Sequence, residues 1–145
     1  MITACSDDYV DTDINEFLSF SAENDAQGTL MTYLGHEANG SSAKINNEGL
    51  INEVAEKRVM SPHTTVGIYY FAQGKYFVDA AEQMIKDDKR ANGEFYVSPV
   101  YNEMIKQNHT IKPYQIEARD MHTMGTPEGL EIFQNKLQSS PEIIS

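Results

Sequence analysis

Apolar residues along this chain recur with two different periods, and the switches between them outline alternating strands and helices. Ile2 to Cys5 is a short apolar run that stops at Ser6-Asp7-Asp8, the pattern of a buried strand ending in a polar loop. From Asp13 the spacing turns helical. Asp13 can cap, Glu16 follows at capping-box distance, and Ile14, Phe17, Leu18 and Ala22 make one apolar face that ends near 24–28. Residues 29–34 and 43–45 are β-rich, and Asn46-Asn47-Glu48-Gly49 predicts a hairpin turn into a strand over 50–55. The run 64–71, TTVGIYYF, is β-branched and aromatic almost throughout, which predicts a central strand covered on both faces, with Gly67 marking a close backbone approach.

The second half continues the alternation. Phe77, Ala80, Ala81, Met84 and Ile85 share one face of a helix predicted over 76–89, and Asn92-Gly93 breaks the chain after it. A third helix runs through Val97, Val100, Tyr101, Met104 and Ile105 with Pro99 in its first turns, followed by a strand over 110–116. Within MHTMGTPEGLEIF, Thr126 caps a last helix over 126–137, Pro127 opens it, and Leu130 and Phe133 face the core. This order predicts an α/β layer fold with a mixed sheet: a single domain over 1–137 and a polar tail over 138–145.

Charge and cysteine usage narrow the partners. Acidic residues number 22 against 11 basic ones, a formal charge of -11, and no basic cluster lines an expected helix or loop, so neither a nucleic acid nor an anionic membrane surface fits. The single Cys5 allows no internal disulfide. With no membrane-length apolar run and no signal-peptide pattern, the expected location is the cytoplasm.

Chemistry-bearing residues stand in three places. Asp7 and Asp8 follow the first strand, where ligands bind in open α/β sheets, and their oxygens suit magnesium; a loop or helix cap explains them equally well. Glu56-Lys57-Arg58 ends the hairpin, and Lys57 could offer a point charge to a phosphate or belong to a solvated charge run. Glu94, in NGEFY, could accept from sugar hydroxyls or favour the positive end of a helix. His36, His63, His109 and His122 are scattered, with no spacing for zinc. Neither a nucleophile elbow nor a Gly-rich phosphate loop occurs in the 145 residues; the nine glycines stand singly.

In order, ACSDDYVDTDINEFL, SSAKINNEGLINEVAEKRVM, TTVGIYYF, NGEFYVSPVYNEMI and MGTPEGLEIF resemble the later portion of the sugar-phosphate nucleotidyltransferases, in the branch related to glucose-1-phosphate thymidylyltransferase that serves capsule and lipopolysaccharide precursors. The resemblance covers residues 2 to about 136. It implies a nucleotide-diphospho-sugar transferase fold and a reaction in which a sugar-1-phosphate oxygen attacks the α-phosphate of a nucleoside triphosphate, releasing pyrophosphate. By motif it implies that Asp7 holds Mg2+, Lys57 contacts the sugar phosphate, Glu94 bonds sugar hydroxyls, and Gly67 lets the sugar approach the strand.

Two departures qualify that expectation. The Gly-rich loop and downstream lysine that grip the triphosphate in the family are absent from this sequence, and Thr123-Met124 stands where many members carry a second metal-binding aspartate. The chain is therefore expected to lack autonomous activity; the alternative is a non-catalytic sugar-phosphate-binding or assembly module. Ile2 to Cys5 would be an interior parallel strand in the family, so its bare apolar edge predicts a homo-oligomer or a partner chain.

Overall fold

The computed structural model describes residues 1–35 and 40–139, so His36 lies outside the described residues, as does the end of the expected tail, 140–145. The first strand, β1 (Ile2–Ala4), is followed by β2 (Asp8–Val10), α1 (Ile14–Glu23), β3 (Gly28–Leu34), β4 (Ser42–Ile45) and β5 (Ile51–Ala55). Then come β6 (His63–Phe71), α2 (Gly74–Lys86), α3 (Val100–Lys106), β7 (Ile111–Ile116), a 3-10 turn (Ala118–Asp120), β8 (Met121–Thr123) and α4 (Pro127–Ser139).

The main sheet has the order β5-β4-β6-β3-β7, with β1 added to β6 beside the short β4 pairing. Among the described residues only β3 and β7 run parallel and the other pairings are antiparallel, so the sheet is mixed as expected. Strand alternation explains the nearly continuous apolar run of β6, because successive side chains serve opposite faces. Tyr69 and Phe71 pack with Leu30 against Ala80, Met84, Tyr101 and Met104 of α2 and α3. Val66 and Ile68 pack with Met31 and Tyr33 against Phe17 of α1 on the other side. The hairpin turns where expected, with Gly49 at φ 77°, a conformation that costs a Cβ-bearing residue free energy.

Several expectations are corrected. The run Ile2–Cys5 is neither buried nor parallel: β1 ends at Ala4, Ile2, Ala4 and Cys5 are exposed, and the strand lies antiparallel to β6 through Ile2–Tyr70, Thr3–Tyr69 and Ala4–Ile68. Asp13 caps α1 by accepting from the Asn15 amide at 2.8 Å, one position earlier than a capping box requires. The third helix begins at Val100 rather than at Val97, because the amides of Val100 and Tyr101 first find carbonyls at Val97 and Ser98 in a tight entry turn. The strands β2 and β8 carry no long apolar alternation of their own and were not expected. In α4, Thr126 caps as expected, accepting from the Gly129 amide at 3.1 Å, and Phe133 is buried. Leu130 is exposed instead, since α4 touches the body on the narrow stripe that Phe133 occupies, and the helix continues to Ser139. Among the described residues no helix is long and apolar enough to cross a membrane.

Candidate functional site

Alternate residues of β6, Thr65, Gly67 and Tyr69, present one face of that strand to a cleft of about 420 Å³. The turn after β1 brings Cys5, Asp7 and Asp8 to one wall. Ser41 and Glu56, the latter just past the end of β5, form another, and Phe95, Tyr96 and Val97 close the side before α3. Met121 and Thr123 complete the lining from β8, whose alternation sends His122 the opposite way.

Close packing explains the glycines at this cleft. A Cβ on Gly67 would lie 2.6 Å from Asp8 Oδ2 and 2.7 Å from both Cys5 Cβ and Cys5 Sγ, so Gly67 is what lets the turn after β1 settle onto β6. The Cys5 amide donates to the Gly67 carbonyl at 2.7 Å and fixes that approach. Gly125 plays a similar part for Asp7, whose Oδ2 would stand 2.8 Å from an added Cβ, while the Met124 amide donates to the Asp7 carbonyl at 2.6 Å.

Cys5, Asp7 and Asp8 each bring one donor atom to within 4.8 Å of the others. The two carboxylates are hard oxygen donors of the kind magnesium takes alongside retained water and phosphate oxygens; the sulfur is not. Although Cys5 is exposed, partial desolvation of its thiol against the cleft wall, followed by the charges of Asp8, Asp7 and Glu56, pushes it above its ordinary value, so it stays protonated at neutral pH. The donor set fits a magnesium ion on Asp7 and Asp8. Thr123, in place of the second aspartate of the resemblance, lies directly across from Asp8 in the β2–β8 pair, so Asp8 brings a second carboxylate to that neighbourhood from the facing strand.

Glu56 was not singled out from the sequence, and the fold gives it a defined setting. Its Oε2 accepts from the Ser98 hydroxyl at 2.6 Å and from the Ser41 hydroxyl, and the two serines are 3.2 Å apart. Ser98 is fully buried and Ser41 nearly so. Both serine hydroxyls are on Oε2, and Glu56 is among the residues that line the cleft. Its only sequence signal was position, next to Lys57 at a strand end; the serines that orient it lie 15 and 42 residues away. Nearby, burial, reinforced by Cys5, Glu56 and Asp8, raises the Tyr69 phenol well above its usual range, so it remains a hydroxyl donor.

Of the four sequence-derived site residues, Asp7 and Gly67 lie in the cleft. Lys57 and Glu94 do not line it; both engage Tyr96, which does. Glu94 is not at a helix start, since it belongs to a tight turn bridged to Ala91 and α3 begins six residues later. His122 packs against Tyr9 and Phe133, which also touch each other, behind β8, and its Nε2 accepts from the Lys136 ammonium at 2.8 Å. His109 packs against Tyr76 with the rings tilted, away from the cleft. The opening of MHTMGT is thus one wall of the cleft with its histidine turned into the support.

No protein-family model matches the sequence, and no curated protein does. Solved structures do match. A nucleoside-diphosphate-sugar pyrophosphorylase from Vibrio cholerae superposes with a TM-score of 0.76 at 22% identity, over 92% of this chain and 55% of that one. A Bacillus anthracis protein described as a candidate glucose-1-phosphate thymidylyltransferase, in complex with sucrose, gives 0.69 at 20% identity, over 91% and 52%. The inositol-1-phosphate CTP transferase of T. maritima gives 0.68 at 13% identity, over 95% and 54%. The chain spans about half the length of each of these proteins. Over that half, with its mixed sheet flanked by helices on both faces, this chain has the fold of the nucleotide-sugar pyrophosphorylases and related nucleotidyltransferases.

Proposed function

We propose that this chain supplies the sugar-phosphate side of a nucleotidyltransferase of nucleotide-sugar synthesis. The observation that carries the reading is the convergence of Asp7, Gly67 and Glu56 on one cleft, with Lys57 over the ring of Tyr96, which borders it. Glu56 Oε1 accepts from a sugar hydroxyl, its other oxygen being tied by Ser41 and Ser98. The sugar lies along the open backbone at Gly67, and Lys57 meets the phosphate as a point charge. Asp7 and Asp8 hold a magnesium ion, which neutralises phosphate charge when bound. Positioning and charge neutralisation suffice for such phosphoryl chemistry, so no nucleophilic side chain is required.

The nucleotide side belongs to a segment carrying a Gly-rich phosphate loop, on this polypeptide or another, since the 145 residues hold none. By itself the chain binds a sugar phosphate without transferring a nucleotidyl group. The outer edge of β1, unpaired among the described residues, is where such a segment or a second copy adds a strand.

A thermal-shift screen of sugar 1-phosphates with and without Mg2+ tests the reading. A ligand at a hundredfold its Kd stabilises the native state by about 2.7 kcal/mol, so a binder raises Tm by several degrees. The expected result is a shift with at least one sugar 1-phosphate that shrinks without Mg2+ and in Lys57→Ala. No shift with any member of the panel overturns it. Pyrophosphate release by the chain alone, with a nucleoside triphosphate and that sugar phosphate, would refute the division of labour.

A further inference from the structure

We propose that Tyr96 is a positioning residue that fixes the Lys57 ammonium at the mouth of the cleft, and that Glu94 acts through Tyr96 rather than on the ligand. The inference rests on the reading that this cleft takes a sugar phosphate. Three observations from separate stretches of chain meet at one ring. Lys57 has φ 52°, the left-handed region that a lysine adopts only when its surroundings enforce it, and this turns its side chain out of the β5 direction. Its ammonium then lies over the Tyr96 ring, 4.9 Å from the centroid. The Tyr96 hydroxyl donates to Glu94 Oε2 at 2.5 Å, a charge-assisted bond.

The support beneath this arrangement is rigid. Asn92 and Gly93 both have positive φ, 49° and 83°, and the paired backbone bonds between Ala91 and Glu94, at 2.9 and 3.0 Å, close the tight turn that such a pair of residues makes. Arg90 braces the same turn, donating to the Gly93 carbonyl at 3.0 Å while its guanidinium lies over Phe95. The turn fixes Glu94, Glu94 fixes the phenol, and the ring fixes the lysine. Tyr96 also borders the cleft that Glu56 lines, so the ring that carries the lysine is part of the cleft wall. A lysine left on its flexible stem would lose rotamer freedom when a phosphate arrives; one already seated on the ring loses less, and that preorganisation appears as selectivity for the phosphorylated ligand. The contact with Tyr96 also raises the Lys57 pKa, in keeping with an ammonium held in place.

This assigns Glu94 a different part from the sugar-hydroxyl contact expected from resemblance, because the Glu94 carboxylate is engaged by Tyr96 and does not line the cleft. The experiment takes the sugar 1-phosphate giving the largest shift in the screen and measures its Kd and that of the unphosphorylated sugar by calorimetry, on wild type, Lys57→Ala, Tyr96→Ala, Tyr96→Phe and Glu94→Ala. The ratio of the two affinities reads the phosphate contact alone. Tyr96→Ala should lower it roughly two- to fivefold, the worth of an exposed aromatic cation contact, in the direction of Lys57→Ala. Adding Tyr96→Ala to Lys57→Ala should change it no further. Tyr96→Phe and Glu94→Ala should fall between, with the affinity for the unphosphorylated sugar kept.

A second arm needs no ligand. In a 13C-lysine NMR titration the Lys57 side-chain pKa should drop toward an ordinary lysine in Tyr96→Ala. An unchanged ratio in Tyr96→Ala where Lys57→Ala lowers it, or a loss of unphosphorylated-sugar affinity in Glu94→Ala, overturns the assignment. If wild type binds no sugar phosphate, the parent reading fails and the ligand role of Tyr96 falls with it; the titration then decides whether the Tyr96 seat for Lys57 exists at all.

Discussion

Replacing Gly67 by alanine puts the packing of the turn after β1 onto β6 to a quantitative test. The added Cβ meets three atoms closer than 3.0 Å, and two of them, Cys5 Cβ and Sγ, belong to a short side chain whose backbone is bonded to Gly67 itself. The sulfur could rotate about its side-chain bond but Cys5 Cβ cannot, so the turn must lift. Overpacking of this kind costs about 1–3 kcal/mol, which for a domain of this size lowers Tm by about 3–12 °C. Gly125→Ala is the matched control, because the atom nearest its Cβ is the far end of the Asp7 side chain at 2.8 Å and the next two, at 3.6 and 3.7 Å, are in ordinary contact. Its stability should stay within about 0.5 kcal/mol of wild type, while weaker Mg2+ binding reports the displaced Asp7. Urea unfolding by circular dichroism gives the stabilities and Mg2+ calorimetry the second readout. A cycle with Asp8→Ala, which removes one of the three clashes, should show Gly67→Ala costing less than in wild type. Equal stability of Gly67→Ala and wild type, or strict additivity in that cycle, would refute the close approach on which the cleft geometry depends.

Other perturbations separate binding from folding. Glu56→Ala should abolish sugar-phosphate binding yet cost under about 1 kcal/mol of stability, since Ser41 and Ser98 are close enough to bond each other; chemical denaturation alongside calorimetry checks both halves. Tyr101→Phe should destabilise by about 1–2 kcal/mol, because the buried hydroxyl bridges the Thr29 and Tyr70 carbonyls at 3.1 and 2.9 Å, with urea midpoints as the measure. Stability should fall as the solution is acidified, in two stages. Burial, then Lys136, depresses the His122 pKa, so its contribution is complete above the ordinary value of 6.5 and is lost as pH falls through the depressed one. For Glu103, burial acts upward but hydrogen bonds from Lys89 and Lys106 prevail and hold it below 4.5, so its contribution disappears at still lower pH. Phe133-side variants such as His122→Gln should remove the first stage in a pH series of urea melts and leave the second.

The elements of this protein are largely written in its local pattern, and the way they meet is not. Period 3.6 at Phe77, Ala80 and Met84, period 2 with both faces covered in TTVGIYYF, and the Asn46 to Gly49 turn predict α2, β6 and the hairpin, because those signals lie within one element. Thr126 and Pro127 likewise mark the start of α4. The antiparallel setting of β1 was not legible, since three residues of strand carry no information about the direction of a partner some 65 residues away. Nor was the β2–β8 pair, whose strands of three residues mix polar, aromatic and aliphatic side chains and are too short to show a period, and which meet only through the fold. At the site, the sequence could propose Asp7, Lys57, Gly67 and Glu94 by type and motif. Only the tertiary structure brought Ser41 and Ser98 onto Glu56, set Asp8 opposite Thr123, and placed Tyr96 between Lys57 and Glu94. Those are contacts across the fold, decided by how sheet and helices pack rather than by the period of any one segment.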